Sequence, residues 1–196
     1  MKKNIKNKSG YTLVETMIAV SIFIIIVTVG MGALLNADAL YNKSKDMRSI
    51  MDNLSFTIED ISRNLRTGYN YQCIPSAGSP TAVSTPTNGL NCMGIEFEPS
   101  GGGNPWAYEV ITQGGQNIIQ KAIYNGSSWV WVQLTPKEVT INTTGSLFSV
   151  FGALPPSAND FHQPFVNIHL VGTITYKAVI TSFSLQTSIS QREIDI

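Results

Sequence analysis

The stretch Lys8–Glu15 (KSGYTLVE) leads into Met17–Leu35 (MIAVSIFIIIVTVGMGALL), a run of 19 residues without a charged side chain. As an α-helix this run would be about 28 Å long, close to the thickness of the hydrocarbon core of a bilayer. Four lysines precede it with no acidic residue between them, whereas the basic residues that follow it are interleaved with aspartates. The positive-inside rule therefore predicts one membrane span with its N-terminus in the cytoplasm and the rest of the chain outside.

Glu15 places a carboxylate at the entrance to this span. An ionised carboxylate is costly to bury in lipid, so such a residue usually has a charged partner or a functional role. It can also lie at the level of the headgroups and stay hydrated. The position of Glu15 alone leaves both interpretations open.

The string Gly10–Glu15 (GYTLVE), between a short lysine-rich leader and an apolar helix, resembles the prepilin cleavage and methylation motif of type IV pilins and pseudopilins. The resemblance implies that a membrane peptidase removes the leader, residues 1–10, by cutting after Gly10, and then methylates the new terminal amine of Tyr11. It also implies that Glu15 neutralises the terminal amine of a neighbouring subunit, because a buried carboxylate is tolerable only with a charged partner. The family usually has Phe where this chain has Tyr11, which is a mild change. The assembly helix would then be residues 11–35.

Two other interpretations of this segment remain. A secretory signal peptide would be cleaved at the small residues 37–39 (ADA). Its apolar region is usually only about 7–15 residues long, however, and Glu15 has no role in it. A plain membrane anchor explains the span but does not explain why Gly10 and Glu15 occur together.

The composition limits the function classes of the remaining chain. A length of 196 residues leaves room for one outer domain with its own core, and 13 basic residues balance 13 acidic ones. Loss of the four leader lysines would leave nine basic against thirteen acidic residues, a net charge of −4. This does not indicate a nucleic-acid-binding surface. His162 and His169 are the only histidines, and neither belongs to a catalytic or zinc-binding motif, so we expect no enzyme, cofactor or metal site.

An amphipathic continuation of the helix is predicted for residues 36–69. Apolar residues recur there at steps of three and four, which indicates one face buried against a sheet. Gly68 is the predicted C-cap, and the aspartates and glutamates, Asp60 among them, are interpreted as solvated helix charges. Gly30 and Gly32 interrupt the membrane part: they would allow close helix packing or, by resemblance to the helix breakers of pilins, local unwinding during assembly. The predicted buried positions are Met47, Ile50, Met51, Leu54, Ile58, Ile61 and Leu65.

A β-rich domain is predicted for residues 70–196. Asn70–Gly89 is rich in Pro, Ser, Thr and Gly and is predicted to be a loop. Cys73 and Cys92 would form a disulfide there in an oxidising compartment, with two free thiols as the alternative. Strand patterns then recur to the end of the chain, and Asn125-Gly126 is the clearest hairpin turn. The predicted fold class is α+β, a long N-terminal helix packed on an antiparallel sheet. The predicted strands are 93–98, 106–112, 118–124, 129–134, 137–142, 147–151, 165–176 and 178–190.

The segment Phe183–Arg192 is similar to the last strand of minor pilins and pseudopilins. The resemblance therefore favours a minor subunit of a type IV pilus-like or type II secretion-like fibre, with a major pilin as the near alternative. The implied partners are other pilin subunits, the prepilin peptidase, a platform membrane protein, an assembly ATPase and, before assembly, membrane lipid. The implied location is the inner membrane and then an extracellular or periplasmic fibre. A membrane-anchored adhesion module that binds through Asn70–Gly89, and a secreted enzyme, remain as alternatives.

Overall fold

The computed structural model describes residues 10–78, 80–81, 85–145, 147–176 and 179–192. The predicted leader before Gly10 and the predicted turn at Lys177 lie outside these residues. The chain divides into two compact units, Met1–Asp46 and Met47–Ile196. Helix α1, Leu13–Thr67, is one continuous α-helix of 55 residues and contributes to both units.

The first unit consists of the apolar part of α1. All described side chains from Tyr11 to Asn42 are exposed, including long apolar ones such as Ile25 and Met31. The helix continues through Gly30 and Gly32 without a break. Apart from the neighbouring part of the helix, no described atom lies within 4 Å of the place that a Cβ would take at either glycine. Close packing or unwinding at these two glycines therefore stays a prediction.

The second half of α1 packs one face against β-strands, and its buried residues confirm the predicted stripe. Thr57 also belongs to this face, but the pattern of apolar residues does not include it because it is polar. Its hydroxyl donates to the carbonyl oxygen of Asn53 at 3.0 Å and lies 3.4 Å from that of Leu134, so its burial leaves no unsatisfied donor. The predicted positions that are buried are Ile50, Leu54, Ile61 and Leu65, and those that are half-buried are Met47, Met51 and Ile58.

Helix α1 ends at Thr67, directly before the predicted C-cap Gly68. The structure requires a glycine at position 68 for a reason other than C-capping. The Gly68 N–H donates to the carbonyl oxygen of Asn64 at 2.9 Å, which closes the last turn. The left-handed conformation that favours a C-cap glycine occurs two residues later, at Asn70 (φ 55°). Gly68 is required instead because a Cβ there would overlap the ring of Phe97.

In the described part of the chain, ten β-strands follow the helix and form two antiparallel sheets, which confirms the α+β class. The first sheet has the order β1-β3-β4-β5-β6, and the second has the order β10-β9-β8-β2, with β7 also paired to β9. The strands are β1 Tyr69–Ile74, β2 Gly89–Cys92, β3 Gly94–Glu98, β4 Trp106–Gln113, β5 Gln116–Tyr124, β6 Trp129–Gln133, β7 Val139–Ile141, β8 Leu147–Phe151, β9 Phe165–Tyr176 and β10 Val179–Ser190.

Two predicted features of the sheets are confirmed. Strands β3 to β6 form the expected antiparallel meander, and the turn between β5 and β6 contains Asn125 and Gly126, the latter with φ 94°. Strands β9 and β10 pair along their whole length, from Phe165 opposite Ser190 to Tyr176 opposite Val179. Alternate residues of β9, Val166 to Ile174, point into the main core, as the period of two predicts.

The prediction of a loop at Asn70–Gly89 is wrong at both ends. Asn70 and the next four residues belong to β1, and Gly89 begins β2. Strand β1 escapes the pattern because its register shifts between Tyr69 and Gln72 around the positive φ of Asn70, which breaks the alternation of buried and exposed residues. The connection between the two strands is therefore residues 75–88.

Two described residues of this connection, Gly78 and Thr81, donate hydrogen bonds to carboxylates on the face of the first sheet opposite the helix. Glu96 and Glu109 are fully buried, although their alternation with apolar neighbours is typical of side chains that face the solvent. The Gly78 N–H donates to Glu109 Oε2 and the Thr81 N–H donates to Glu96 Oε2, each at 2.9 Å. Gln120 Nε2 also donates to Glu109 Oε1 at 2.6 Å. These hydrogen bonds offset the cost of removing the carboxylates from water.

Cys73 and Cys92 form a disulfide that joins β1 of the first sheet to β2 of the second, with their Cα atoms 5.5 Å apart. The Cys73 N–H also donates to the carbonyl oxygen of Thr87 at 3.3 Å. Gly89 lies against this bridge, and a Cβ there would overlap Cys73 Sγ. Only glycine at this position leaves room for the crosslink.

Replacement of both cysteines by serine is expected to lower the free energy of unfolding by on the order of 3 kcal/mol, because the open chain gains loop entropy. Urea unfolding of the detergent-solubilised protein, followed by tryptophan fluorescence, measures this change. Reduction of the wild-type protein is the matched control and should give the same loss. An unchanged unfolding midpoint in both experiments would contradict a stabilising role for the bridge.

Candidate functional site

The N-terminal turn of α1 carries the residues that the sequence singles out. Thr12 precedes the helix, and its Oγ1 accepts the N–H of Glu15 at 3.3 Å while its carbonyl oxygen accepts the N–H of Thr16 at 3.2 Å. Thr12 is therefore the N-cap of the helix, and Thr12–Glu15 has the spacing of a capping box. Sequence reasoning missed this role, although the Thr-x-x-Glu pattern was visible.

Gly10, Tyr11 and Glu15 lie together at this helix end. Gly10 and Tyr11 precede the helix and are exposed, and no described atom lies within 4 Å of the place that a Cβ would take at Gly10. The peptide bond between them is therefore outside regular structure and open to an enzyme. Glu15 is exposed in the first turn, where the positive end of the helix dipole favours a negative charge.

The apolar surface of the first unit continues directly from this turn. The helix has a stretch long and apolar enough to cross a membrane, and none of that stretch is buried within the structure. A helix that is apolar on all sides needs lipid or other helices around it. The segment is consistent with a single-pass anchor in the inner membrane.

The two histidines have separate polar partners. His169 lies on β9 with its Nε2 3.3 Å from Ser184 Oγ, while His162 lies in an exposed turn where its N–H donates to Asp160 Oδ1 at 3.1 Å. Across the part of the chain that the structure describes, no group of three or more His, Cys, Asp or Glu residues could hold a metal ion.

A polar network joins α1 to the first sheet. It includes Asp60, which the sequence predicts to be a solvated charge and whose side chain is 46% exposed but also has protein partners. The Tyr108 hydroxyl donates to Asp60 Oδ2 at 2.8 Å and accepts a hydrogen bond from Asn64 Nδ2 at 2.7 Å. Lys121 Nζ lies 3.6 Å from Asp60 Oδ2 and 4.2 Å from the ring centre of Trp106. The network aligns the helix on the sheet.

Burial raises the pKa of two tyrosines in the core far above their ordinary value. Tyr71 donates its hydroxyl to the carbonyl oxygen of Leu65, and desolvation raises its pKa. For Tyr108, desolvation is again the main cause of the raised pKa, and the negative charge of Asp60 adds to it. Both hydroxyls therefore keep their protons in the folded state when unfolded tyrosines ionise.

The stability of the second unit is expected to fall as the pH rises above about 10, the pKa of an unfolded tyrosine. Because the folded pKa values are raised, the unfolded state binds fewer protons there, and the free energy of unfolding should fall by up to about 2.7 kcal/mol per pH unit. Urea unfolding between pH 8 and 11 measures the slope. Tyr71→Phe and Tyr108→Phe should each remove about half of it, and a wild-type slope equal to that of the double variant would refute the assignment.

Comparison with known proteins gives one finding on the N-terminal segment. A family model described as the prokaryotic N-terminal methylation motif matches residues 5–34, which include Gly10, Tyr11 and Glu15. The chain thus carries a prepilin-type motif like that of type IV pilins and pseudopilins, which confirms the resemblance. The motif implies processing by a peptidase and assembly with other pilins. No curated protein and no solved structure matches the chain.

Proposed function

We propose that this protein is a structural subunit, of the minor pilin or pseudopilin kind, of a type IV pilus-like or type II secretion-like fibre. The observation that carries the proposal is the junction at the start of α1. There an exposed Gly10–Tyr11 bond precedes the helix, Glu15 lies in its first turn, and the apolar side chains of residues 11–42 are all exposed. The large β-rich unit and the long terminal strand β10 favour a minor over a major subunit.

Processing would act on the N-terminal side of the Thr12 cap. A prepilin peptidase cuts the Gly10–Tyr11 bond and methylates the amine of Tyr11, which retains its positive charge. Because Thr12 already caps the helix, removal of the leader leaves the first turn of α1 and the position of Glu15 intact. The cationic terminus and the carboxylate then lie at the same end of the helix.

Assembly would exchange lipid around α1 for the helices of other subunits. Glu15 enters this apolar environment with the Tyr11 amine of a neighbour as its partner. At a separation of 4 Å and an effective dielectric constant of about 20, two such charges attract by about 4 kcal/mol. This attraction sets the axial register, because any other register leaves a buried charge without a partner.

The remaining partners and the location follow from the same role. A platform membrane protein and an assembly ATPase drive extraction from the inner membrane, and the second unit faces outward in an extracellular or periplasmic fibre. Gly30 and Gly32, the weakest helix formers in the apolar half, provide the point where α1 unwinds or packs closely. The protein acts by polymerising and catalyses no reaction.

Incorporation into a fibre tests the proposal. An epitope tag fits the exposed turn at Gly114 and Gly115, between β4 and β5. We expect the tagged protein in sheared or purified fibres together with other pilins, and only in cells that contain a prepilin peptidase. If the tagged protein stays in the membrane as single copies in peptidase-containing cells, it is an anchored module and not a fibre subunit.

A further inference from the structure

Phe56 is an exposed aromatic residue on an otherwise polar face of α1. Its side chain is 71% exposed, although Phe is among the side chains that gain most from burial. One exposed apolar residue is unremarkable by itself. The charges around Phe56 and an aromatic pocket elsewhere in the same unit indicate that it takes part in a contact. The other exposed positions of this part of the helix are Arg48, Ser49, Asp52, Asn53, Ser55, Glu59, Arg63 and Arg66.

The pocket lies at the C-terminal end of the same helix and has a volume of about 480 Å³. The turn between β3 and β4 closes one side of it. Phe97 and Trp106 meet edge to face in its wall, with ring centres 6.2 Å apart. Aromatic walls of this kind favour an entering aromatic ring in an edge-on or offset position. The lining carries no charged side chain, and its principal members are Asn64, Thr67, Phe97, Trp106, Ile123 and Tyr124.

Charges of opposite sign surround the two features. Asp52, Glu59 and Asp60 lie four residues before, three after and four after Phe56, so they flank it on the helix surface. Asp60 is shared with Lys121, but Asp52 and Glu59 are exposed.

The pocket end of the helix is basic. Arg63 and Arg66 are exposed beside the pocket residues Asn64 and Thr67, and the Arg192 N–H donates to the carbonyl oxygen of Arg66 at 2.8 Å, which brings a third arginine to this end. An acidic rim around Phe56 thus complements a basic rim around the pocket.

We propose that Phe56 of one copy of this chain inserts into the aromatic pocket of a second copy. The inference rests on the proposed function, because it requires at least two copies side by side in an assembly. Phe56 precedes Asn64 and Thr67 by eight and eleven residues, so the two copies are displaced by about 12–16 Å along parallel helices. Because the two patches differ, each copy offers a free Phe56 and a free pocket, and the contact can repeat along a fibre.

A photo-crosslinking residue, benzoylphenylalanine, tests this contact in fibres or membranes of the full chain. At position 56 we expect adducts with pocket residues of a second copy, identified by mass spectrometry. The double variant Arg63→Glu and Arg66→Glu should lower the yield of these adducts about tenfold, because it places like charges on the two facing rims. Adding Asp52→Lys and Glu59→Lys should restore it, which a merely unfolded pocket would not allow.

Phe23 provides the matched control because it is 66% exposed on the apolar part of α1. The same residue at position 23 reports assembly through the apolar helices. Adducts between copies from position 23 but none from position 56 in the pocket would overturn the Phe56 contact and leave the proposed function standing. No adducts between subunits from either position would overturn the proposed function, and the inference with it.

Discussion

Replacement of Glu15 by glutamine is expected to abolish fibre assembly while the protein remains in the membrane. Glutamine keeps the shape of the side chain and its capacity at the third helical position of a capping box, so the helix start at Thr12 survives. Only the negative charge is lost. The attraction removed, about 4 kcal/mol at an effective dielectric constant of about 20, corresponds to roughly a thousandfold in the association constant of each subunit contact.

Quantification of the protein in sheared fibres and in membranes measures this effect. Glu15→Asp keeps the charge and should retain part of the assembly, whereas Thr12→Ser keeps the cap and should change little. If Glu15→Gln assembles as well as the wild-type chain, Glu15 is a hydrated headgroup-level residue and the pairing with a neighbour's Tyr11 amine is wrong.

Replacement of Ile61 by alanine is expected to lower the free energy of unfolding of the second unit by about 2–5 kcal/mol. Ile61 is fully buried in the main core, in one cluster with Phe97, Tyr108 and Val110. Alanine removes the packing contacts and leaves a cavity, because the strands on the far side are held in place by their own ladders.

Urea unfolding followed by fluorescence measures this loss, since Trp106, Trp129 and Trp131 all lie on β4 and β6. Glu59→Ala, two residues earlier on the exposed face, is the matched control and should change the stability by less than about 0.5 kcal/mol. Equal midpoints for the two variants would mean that the helix is not part of the core.

Periodicity decides how much of this fold can be predicted from the sequence. The stripe from Ile50 to Leu65 repeats every three or four residues over several turns. Strand β9 alternates along almost its whole length and β10 alternates from Phe183 to Ser190, so these patterns are long enough to be recognised. Strand β1 is too short and too irregular for such a signal, because the positive φ at Asn70 and a register shift interrupt it. The local sequence pattern does not predict such a strand, because β1 forms only through its pairing with β3.

The contacts of polar side chains are the second feature that the sequence does not predict. Glu96 and Glu109 alternate with apolar residues, a pattern typical of solvent-facing side chains, and only the fold brings the N–H groups of Gly78 and Thr81 to them. Asp60 is partly solvated, with 46% of its side chain exposed, but the sequence does not show that Tyr108 and Lys121 contact it. Such contacts cannot be predicted, because the sequence around a polar residue does not show which distant residue will form its hydrogen bond.

The candidate site, in contrast, can be predicted from the sequence, because its residues are neighbours in the chain. Gly10, Tyr11 and Glu15 are contiguous with the apolar helix, so the sequence alone indicates the motif, and the family model matches the same residues. The structure adds the Thr12 cap, which explains how cleavage can leave the helix start unchanged. The pocket near Thr67 could not be predicted, because its walls come from a helix, three strands and a turn.

The mass of the mature N-terminus, measured on protein purified from a native membrane, shows whether the chain is processed as a prepilin. We expect a chain that starts at Tyr11 and carries one additional methyl group on its amine. A chain that starts at Leu40 would indicate a conventional signal peptide, and an unprocessed Met1 in a host with a prepilin peptidase would indicate a plain anchor. Either result would contradict assembly through a processed N-terminal helix.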